Sequence, residues 1–295
     1  MNAADISGFC DLNITYNADT KLLERIQEFD YRAIALNWTV NVSDSNITVP
    51  SKKKKGVSQN NAKIDIFPEE LDLAFRNIIA KNYKHLRVFL RITIIFMNHE
   101  QLKLVLSSPQ IKRYDIIAVV PVNSAAYEHA CINTSIDLIS FEIGVSNFKP
   151  TGKLHKTLIS RSGYFEISYG QGLRSSKNRQ ELITMTQYFS IYGKSKNAII
   201  SSGASQYLDL RNPFDVANLG LLFGLSNDMA KKALSHNCKM LLLIAAGRKY
   251  GKTAITVELM DESEEPKRKR PKLDTNDKLT NVTQSISSLS TNESS

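Results

Sequence analysis

Few side chains in this 295-residue sequence have the spacing that catalysis requires. The five histidines are scattered, and no two of them stand at the spacing of a metal-ligand pair. Cys10 and Cys131 lie in apolar runs, where a buried and unreactive thiol is expected. Ser201-Ser202-Gly203 lacks the pattern of a nucleophilic serine, and Gly251-Lys252-Thr253 lacks the context of a phosphate-binding loop. The sequence therefore predicts no catalytic residue, no metal site and no cofactor.

Basic residues near turns and strand ends are the remaining candidates for chemistry. Arg87 and Arg91 alternate within one predicted strand, so both should point to the same face. Arginines in loops suit contacts with the phosphates and 2′-hydroxyls of folded RNA, which is recognised largely by its shape. We therefore predict an RNA-binding patch formed by Arg87, Arg91, Lys112, Arg113, Arg161, Arg211, Arg248 and Lys249.

The composition agrees with a polyanionic partner. The formal net charge is +9 and the sequence pI is about 9.3, which favours salt-dependent binding to nucleic acid, although a solvated lysine-rich surface has the same charge. The longest apolar runs, residues 92–97 and 116–122, are too short to span a bilayer, so we expect no membrane association. The three cysteines show no CxxC spacing and the N-terminus does not resemble a signal peptide, so we expect an intracellular protein with reduced thiols.

An α/β fold must position these residues. Up to about residue 260, short β-branched runs alternate with amphipathic helical patterns, which is typical of a parallel sheet with crossover helices. Eight or more such units over about 250 residues favour a closed, TIM-barrel-like (β/α) barrel over an open doubly wound sheet. The predicted strands cover residues 8–14, 31–37, 86–96, 114–121, 137–142, 155–160, 164–168, 197–201, 239–244 and 253–257. The predicted helices cover residues 19–30, 69–82, 99–108, 124–131, 177–192, 213–225 and 227–237.

Two segments should lie outside this barrel of residues 1–260. The polar, lysine-rich residues 41–63 predict a surface loop insertion. Residues 261–295 contain too few large apolar side chains to fold, so we predict a disordered tail. A compact basic cluster in the tail predicts nuclear import, with a simple basic linker as the alternative, and consists of Lys267, Arg268, Lys269, Arg270 and Lys272.

Residues 210–226 have the features of a packed helix. Asn212 is a good N-cap, and Pro213 suits the first helical position. The second half of the run carries no charge, and Gly220 and Gly224 stand four residues apart. We expect both glycines on one face, where they allow another backbone to approach closely, and a helix that is packed rather than solvated.

This run closely resembles the signature of the thirty-kilodalton protein subunit of ribonuclease P, the ribonucleoprotein that trims the 5′ end of precursor tRNA. One departure from the family is Ser162, which separates Arg161 from Gly163 where an Arg-Gly pair is usual. The resemblance covers roughly residues 8–258. Further matching segments follow in the expected order at residues 9–14, 31–37, 91–95, 114–121, 137–141, 165–169 and 197–204.

The resemblance implies a TIM-barrel-like fold, related to the barrels of the polymerase-and-histidinol-phosphatase type, and residence in the nucleus and nucleolus. It implies membership of ribonuclease P and of the related MRP particle, where the RNA cleaves the substrate and the protein holds the catalytic RNA domain in shape. The implied partners are ribonuclease P RNA, precursor tRNA, a small α/β protein subunit and other RNase P/MRP proteins, with two copies of this chain in each particle. No intrinsic enzymatic activity is expected.

Two alternatives stay open. The first is a metal-dependent phosphoesterase of the same barrel type, which would carry a His-x-His pair at the end of its first strand. Asp11-Leu12-Asn13 stands at that place here, so two imidazole ligands are missing. The second alternative is a nuclear protein-interaction scaffold whose basic charge is incidental.

Overall fold

Seven parallel strands form one sheet whose order follows the chain. The computed structural model describes residues 6–16, 20–43 and 85–251, together with residues 67, 76, 79 and 81–83. Strands β4 to β7 are buried at every position, as expected when both faces of a parallel strand are covered. The strands are β1 Phe9–Thr15, β2 Tyr31–Asn41, β3 Arg87–Phe96, β4 Ile116–Pro121, β5 Leu138–Ser140, β6 Tyr164–Ser168 and β7 Ala198–Ser201.

The first and last strands approach each other and nearly close the sheet into a barrel. Ile14 forms a parallel bridge with Ala204, and the backbone N–H of Thr15 donates to the carbonyl oxygen of Ala204 at 2.9 Å. The backbone N–H of Ser202 donates to both carboxylate oxygens of Asp11 at 3.2 Å. The predicted (β/α) barrel is therefore confirmed, with seven described strands instead of eight or more.

Helices connect and cover these strands, and several of them begin at the residues that the sequence indicates. Asn212 caps a helix by accepting a hydrogen bond from the backbone N–H of Phe214 at 3.0 Å, with Pro213 at the first helical position. No helix in the described ranges is long and apolar enough to cross a membrane. The helices are α1 Thr20–Glu28, α2 His99–Leu106, α3 Ser124–Ile132, α4 Gly152–Ser160, α5 Gly170–Leu173, α6 Ser176–Gly193, α7 Pro213–Leu222, α8 Asn227–Leu234 and α9 His236–Tyr250, with 3-10 turns at Pro109–Arg113 and Tyr207–Asp209.

Two predicted strands are helices. Residues 155–160 belong to α4, which buries His155 and Leu158, three positions apart. Residues 239–244 belong to α9, which buries Cys238, Leu241, Leu242 and Ala245 on one face. Short apolar runs fit both periodicities, and here the chain adopts the helical one. The predicted strand 253–257, most of helix 69–82, most of loop 41–63 and the tail lie outside the described residues.

Apolar side chains at alternate strand positions fill one end of the barrel interior. Cys10, Ala33 and Phe89 belong to this cluster, and Leu241 and Leu242 of α9 pack against it. Helix α9 thus covers the end at which the strands begin. The other end, where the strands finish, is polar.

The two glycines of the packed-helix prediction have different roles. A Cβ on Gly220 would lie 2.7 Å from the Cβ of Ala230, so Gly220 lets α7 approach α8 closely, as predicted. Gly224 lies beyond the helix at φ +80°, and the backbone N–H of Leu225 donates to the carbonyl oxygen of Gly220. This is a Schellman ending, which favours glycine because the backbone is left-handed. The prediction that both glycines share a packed face is therefore wrong for Gly224.

Helix α7 is also less buried than its uncharged sequence suggests. Val216, Ala217 and Gly220 are buried. Phe214 and Leu222, in contrast, are 61% and 58% exposed. One face of the helix packs, and the opposite face presents apolar side chains to solvent.

Candidate functional site

An ion pair between Arg91 and Glu166 occupies the polar end of the barrel interior. Both side chains are fully buried. The guanidinium forms two parallel hydrogen bonds with the carboxylate, and the one between Nη2 and Oε2 measures 2.6 Å. The same guanidinium donates to the carbonyl oxygen of Leu12 at 2.7 Å and to Oγ1 of Thr93 at 3.1 Å. Glu166 also accepts a hydrogen bond from the hydroxyl of Ser201 at 2.7 Å. The pair is well satisfied.

Further hydrogen bonds extend this pair across the barrel. The hydroxyl of Thr93 donates to Oδ1 of Asn37 at 2.7 Å, and Nδ2 of Asn37 donates to Oδ1 of Asn13 at 2.8 Å. Burial alone would raise the pKa of Glu166, but Arg91 opposes burial and holds that pKa below its ordinary value. We call the six residues that join β1, β2, β3, β6 and β7 in this way the interior network: Asn13, Asn37, Arg91, Thr93, Glu166 and Ser201.

Asp11 serves the closure of the barrel. Its side chain is 2% exposed and accepts backbone N–H groups from Ser202 and, at 3.1 Å, from Asn13. Burial raises the pKa of Asp11 to about 6, because the hydrogen bonds only partly replace water around the ionised form. The carboxylate therefore joins β1 to the residue after β7.

The barrel interior does not fit a metal-dependent phosphoesterase. Among the described residues, no group of three or more His, Cys, Asp or Glu side chains is placed to hold a metal ion. Both oxygens of Glu166 already face a guanidinium, and the oxygens of Asp11 face backbone N–H groups.

The burial of Arg91 corrects one predicted RNA contact. The alternation in β3 does place Arg87 and Arg91 on the same side of the strand, but at Arg91 that side is the barrel interior. A fully buried guanidinium paired with Glu166 cannot reach a phosphate at the surface. The prediction that Arg91 binds RNA is wrong.

Arg248 and Lys249 fasten α9 to the end of the barrel where the strands begin. Nε of Arg248 lies 2.8 Å from Oδ1 of Asp137, and Nζ of Lys249 lies 2.7 Å from Oδ1 of Asp115. The side chains of the two cations are only 19% and 14% exposed. Each aspartate also accepts a backbone N–H from a neighbouring strand, so it joins two strands and α9. These contacts give Arg248 and Lys249 a structural role that does not require RNA.

Arg161 has a similar internal role. Its guanidinium donates to the carbonyl oxygens of Ala130, Cys131 and Ile136 at 2.9, 2.7 and 2.7 Å, and so satisfies the end of α3. The neighbouring Gly163 leaves room for Leu158, because a Cβ there would lie 2.4 Å from Leu158 Cδ1. The structure thus gives Arg161 a capping function, and its contact with RNA stays a prediction.

Four predicted residues remain for surface contacts. Arg211 is partly exposed in the loop after β7, where its guanidinium donates to the carbonyl oxygen of Leu210 at 3.1 Å. The other three are exposed where β3 and β4 begin, and we call them the strand-start rim: Arg87, Lys112 and Arg113. The predicted import residues Lys267 to Lys272 lie outside the described residues.

Basic residues are also concentrated in one region of the chain, which is not visible when each residue is considered singly. Between residues 143 and 196, nine lysines and arginines stand against two glutamates, and one of these, Glu166, is buried. A count of charge in windows along the chain would have found this region, which covers α4 to α6. It would not have found the interior network, whose members come from five strands.

The fold and the interior together define a (β/α) barrel protein whose interior contains a buried ion pair. Residues 8–250 match the family model of ribonuclease P subunit p30. The chain belongs to that family.

Relatives and solved structures agree with this assignment. The chain is 28% identical over 257 residues to ribonuclease P protein subunit p30 of Mus musculus, covering 83% of this chain and 88% of the mouse protein. It is 36% identical over 177 residues to protein GAMETOPHYTE DEFECTIVE 1 of Arabidopsis thaliana, which covers 59% of this chain but only 30% of the plant protein. A chain in the cryo-EM structure of archaeal ribonuclease P with mature tRNA has the same fold, with a TM-score of 0.59, 16% identity, and coverage of 86% of this chain and 100% of that chain.

Proposed function

We propose that this chain is an RNA-binding, non-catalytic protein subunit of ribonuclease P that supports RNA-catalysed 5′ maturation of precursor tRNA. The observation that carries the proposal is membership of the p30 family over residues 8–250. The interior supports the non-catalytic part, since its carboxylates are engaged by Arg91 and by backbone N–H groups. The basic surfaces support the RNA-binding part.

The assembly partners are also proposals. We propose that the chain binds ribonuclease P RNA and a small α/β protein subunit, in two copies per particle, and that it also belongs to the MRP particle. The apolar side chains that α7 exposes are the kind of surface that a protein partner covers. We further propose residence in the nucleus and nucleolus, with import through the basic cluster at residues 267–272.

Depletion and purification together test this function. Cells depleted of the chain should accumulate precursor tRNA with uncut 5′ leaders, and the wild-type chain should restore cleavage. Sequencing of RNA that copurifies with the tagged chain should return ribonuclease P RNA above all others. Normal 5′ processing after complete depletion would contradict the proposal.

Two controls separate the alternatives. Nuclease-free purified chain, incubated with Mg²⁺ or Mn²⁺, should not cut precursor tRNA, and metal-dependent cleavage that Asp11→Ala abolishes would instead indicate a phosphoesterase. Nuclease treatment of the purified particle should release RNA-dependent partners. Association that nuclease leaves unchanged would favour a protein-interaction scaffold.

A further inference from the structure

Two tyrosines on α6 form an aromatic surface on the side of the barrel. The rings of Tyr188 and Tyr192, one helical turn apart, lie nearly parallel, with 6.2 Å between centroids and 8° between planes. Tyr192 is 39% exposed, and the neighbouring Ile191 is 70% exposed. Flat, partly solvated aromatic rings are the surfaces on which unpaired bases stack.

A groove adjoins this pair. Its volume is about 540 Å³, and Tyr188 and Met185 line one part of it, while Phe148 and Lys149 from the loop before α4 line another. Grooves of this size suit small-molecule-sized groups, and apolar walls with a few polar side chains are typical of them. Glu181 also lines the groove, as its single carboxylate.

Tyr192 continues the surface from the groove to the start of α4. A Cβ on Gly152 would lie 3.2 Å from Cδ1 of Tyr192, so the ring packs directly on the first turn of that helix. The groove, the two tyrosines and the beginning of α4 are therefore one continuous surface, which we call the tyrosine surface.

Exposed lysines lie on the elements that form the tyrosine surface and directly after them. One lines the groove, two lie on α4, and two follow the end of α6, and all five are exposed: Lys149, Lys153, Lys156, Lys194 and Lys196. Among the residues that the structure describes, none of these five lysines forms an ion pair with a carboxylate. Surface lysines without a carboxylate partner, on the same elements as exposed aromatic rings, match a chain of phosphates with free bases between them.

We propose that the tyrosine surface binds an unpaired RNA segment, with bases stacked on Tyr188 and Tyr192 and phosphates held by the exposed lysines of the same elements. This inference rests on the proposed function, since it specifies where and in which form RNA is bound. An RNA duplex fits less well, because its bases are already stacked and hidden from the tyrosine rings. The site differs from the strand-start rim, which lies where β3 and β4 begin.

Binding of a short labelled oligonucleotide to the full-length chain tests the stacking. The probe is a fluorescein-labelled, unstructured 12-nucleotide RNA, compared with a duplex of the same sequence by fluorescence anisotropy. Tyr192→Ala should weaken binding of the single strand by about 5- to 150-fold, the range for loss of one stacked base. Tyr192→Phe should bind like the wild type, because the ring is retained. Tyr192→Leu keeps an apolar contact with Gly152 and should weaken binding like Tyr192→Ala, which separates stacking from folding.

Salt dependence tests the phosphate contacts. Replacing Lys149 and Lys153 together by Ala should lower the log–log salt slope by about 0.7 for each phosphate that is no longer neutralised. The matched control replaces the exposed Lys231 and Lys232 of α8 by Ala, which removes the same charge elsewhere and should change the slope less. Melting curves confirm that each variant is folded.

Three outcomes would overturn the inference. In the first, Tyr192→Ala binds the single strand as tightly as the wild type does. In the second, the wild type binds the duplex as tightly as the single strand, or more tightly. In the third, Tyr192→Ala binds the oligonucleotide normally, but a protein is lost from the particle purified with this variant. The third outcome would assign the surface to a protein partner. If the chain still copurifies with ribonuclease P RNA, only this inference fails. If no ribonuclease P RNA copurifies with the wild-type chain, the proposed function itself fails.

Discussion

Removal of either partner of the buried ion pair should strongly destabilise the barrel. The test variants are Arg91→Met and Glu166→Gln, which change charge while keeping side-chain volume similar. Arg91→Met leaves the Glu166 carboxylate buried and removes both of its hydrogen bonds with the guanidinium. Glu166→Gln leaves a buried cation and turns an amide NH₂ toward it.

The burial of the pair sets the expected size of the effect. Both side chains are fully buried, so the remaining charge has no water to replace its partner. Breaking a buried pair in this way costs about 3–5 kcal/mol of unfolding free energy. For a domain of this size, each kcal/mol lowers Tm by about 2–4 °C, so the expected fall is roughly 6–20 °C.

The double variant Arg91→Met/Glu166→Leu distinguishes a charge effect from a packing effect. Without a buried charge, it should be less destabilised than the sum of the corresponding single variants, by a coupling energy on the order of 0.5–3 kcal/mol. Urea unfolding followed by circular dichroism, with Glu166→Leu as the second single variant, gives the four free energies of the cycle.

The pH dependence provides an independent check. The pKa of Glu166 is lower in the folded protein than its ordinary value of 4.5, so ionisation favours folding. The advantage of the wild type over Glu166→Gln should be complete above pH 4.5 and should shrink as the pH falls through the lowered pKa.

Two results would refute this account of the ion pair. Losses below about 1 kcal/mol in both Arg91→Met and Glu166→Gln would be too small for a broken buried pair. Additive free energies in the double-variant cycle would show that the two side chains do not depend on each other. Normal RNA affinity per folded molecule in Arg91→Met would in turn agree with the interior position of this arginine.

Four further predictions concern other parts of the molecule. Burial raises the pKa of Asp11 from 3.8 to about 6, so ionisation opposes folding. The unfolding free energy of Asp11→Asn should therefore rise relative to that of the wild type by up to about 3 kcal/mol between pH 4 and pH 6. A difference in urea unfolding that does not change with pH would contradict this. Gly224→Ala should lower the unfolding free energy by about 1–2 kcal/mol, because φ at this position is +80°. The control Gly247→Ala, in a helix with open space around it, should raise the unfolding free energy by up to about 1 kcal/mol. Equal melting temperatures of the two variants would disprove the backbone argument. Replacing the strand-start rim (Arg87, Lys112 and Arg113) by Ala should lower the log–log salt slope of RNA binding by up to about one unit for each phosphate left without its cation. RNA titrations at several salt concentrations measure this slope. An unchanged slope in the folded variant would show that the rim is not part of the RNA interface. Replacing Lys267, Arg268, Lys269 and Arg270 by Ala should shift a tagged protein to the cytoplasm without changing its melting temperature. A variant that stays fully nuclear would count against direct import by these residues.

Local patterns in the sequence determine much of the fold. The seven described strands coincide with predicted apolar runs, because a strand covered on both faces has few alternatives to continuous apolar sequence. Asn212 and Pro213 predict the start of α7, since a cap acts on neighbouring backbone groups. The ordered matches along the chain were sufficient to predict the family.

Short-range patterns leave several choices to the tertiary structure. The run 239–244 is apolar enough for a strand, and it becomes part of a helix because α9 must cover the barrel end with Leu241 and Leu242. Gly224 matches the spacing of a packed glycine, but its positive φ follows from where α7 stops.

For the functional site, too, the sequence determines one part and the tertiary structure decides the rest. The sequence determines the net charge, and the even spacing of Arg87 and Arg91 places both on one side of their strand. That spacing does not say which side of the strand is the barrel interior. Asp137 and Arg248 are 111 residues apart, and Arg91 and Glu166 are 75 residues apart. Only the closed barrel brings such residues together, and their pairing decides which cations hold the fold and which remain free to meet a phosphate.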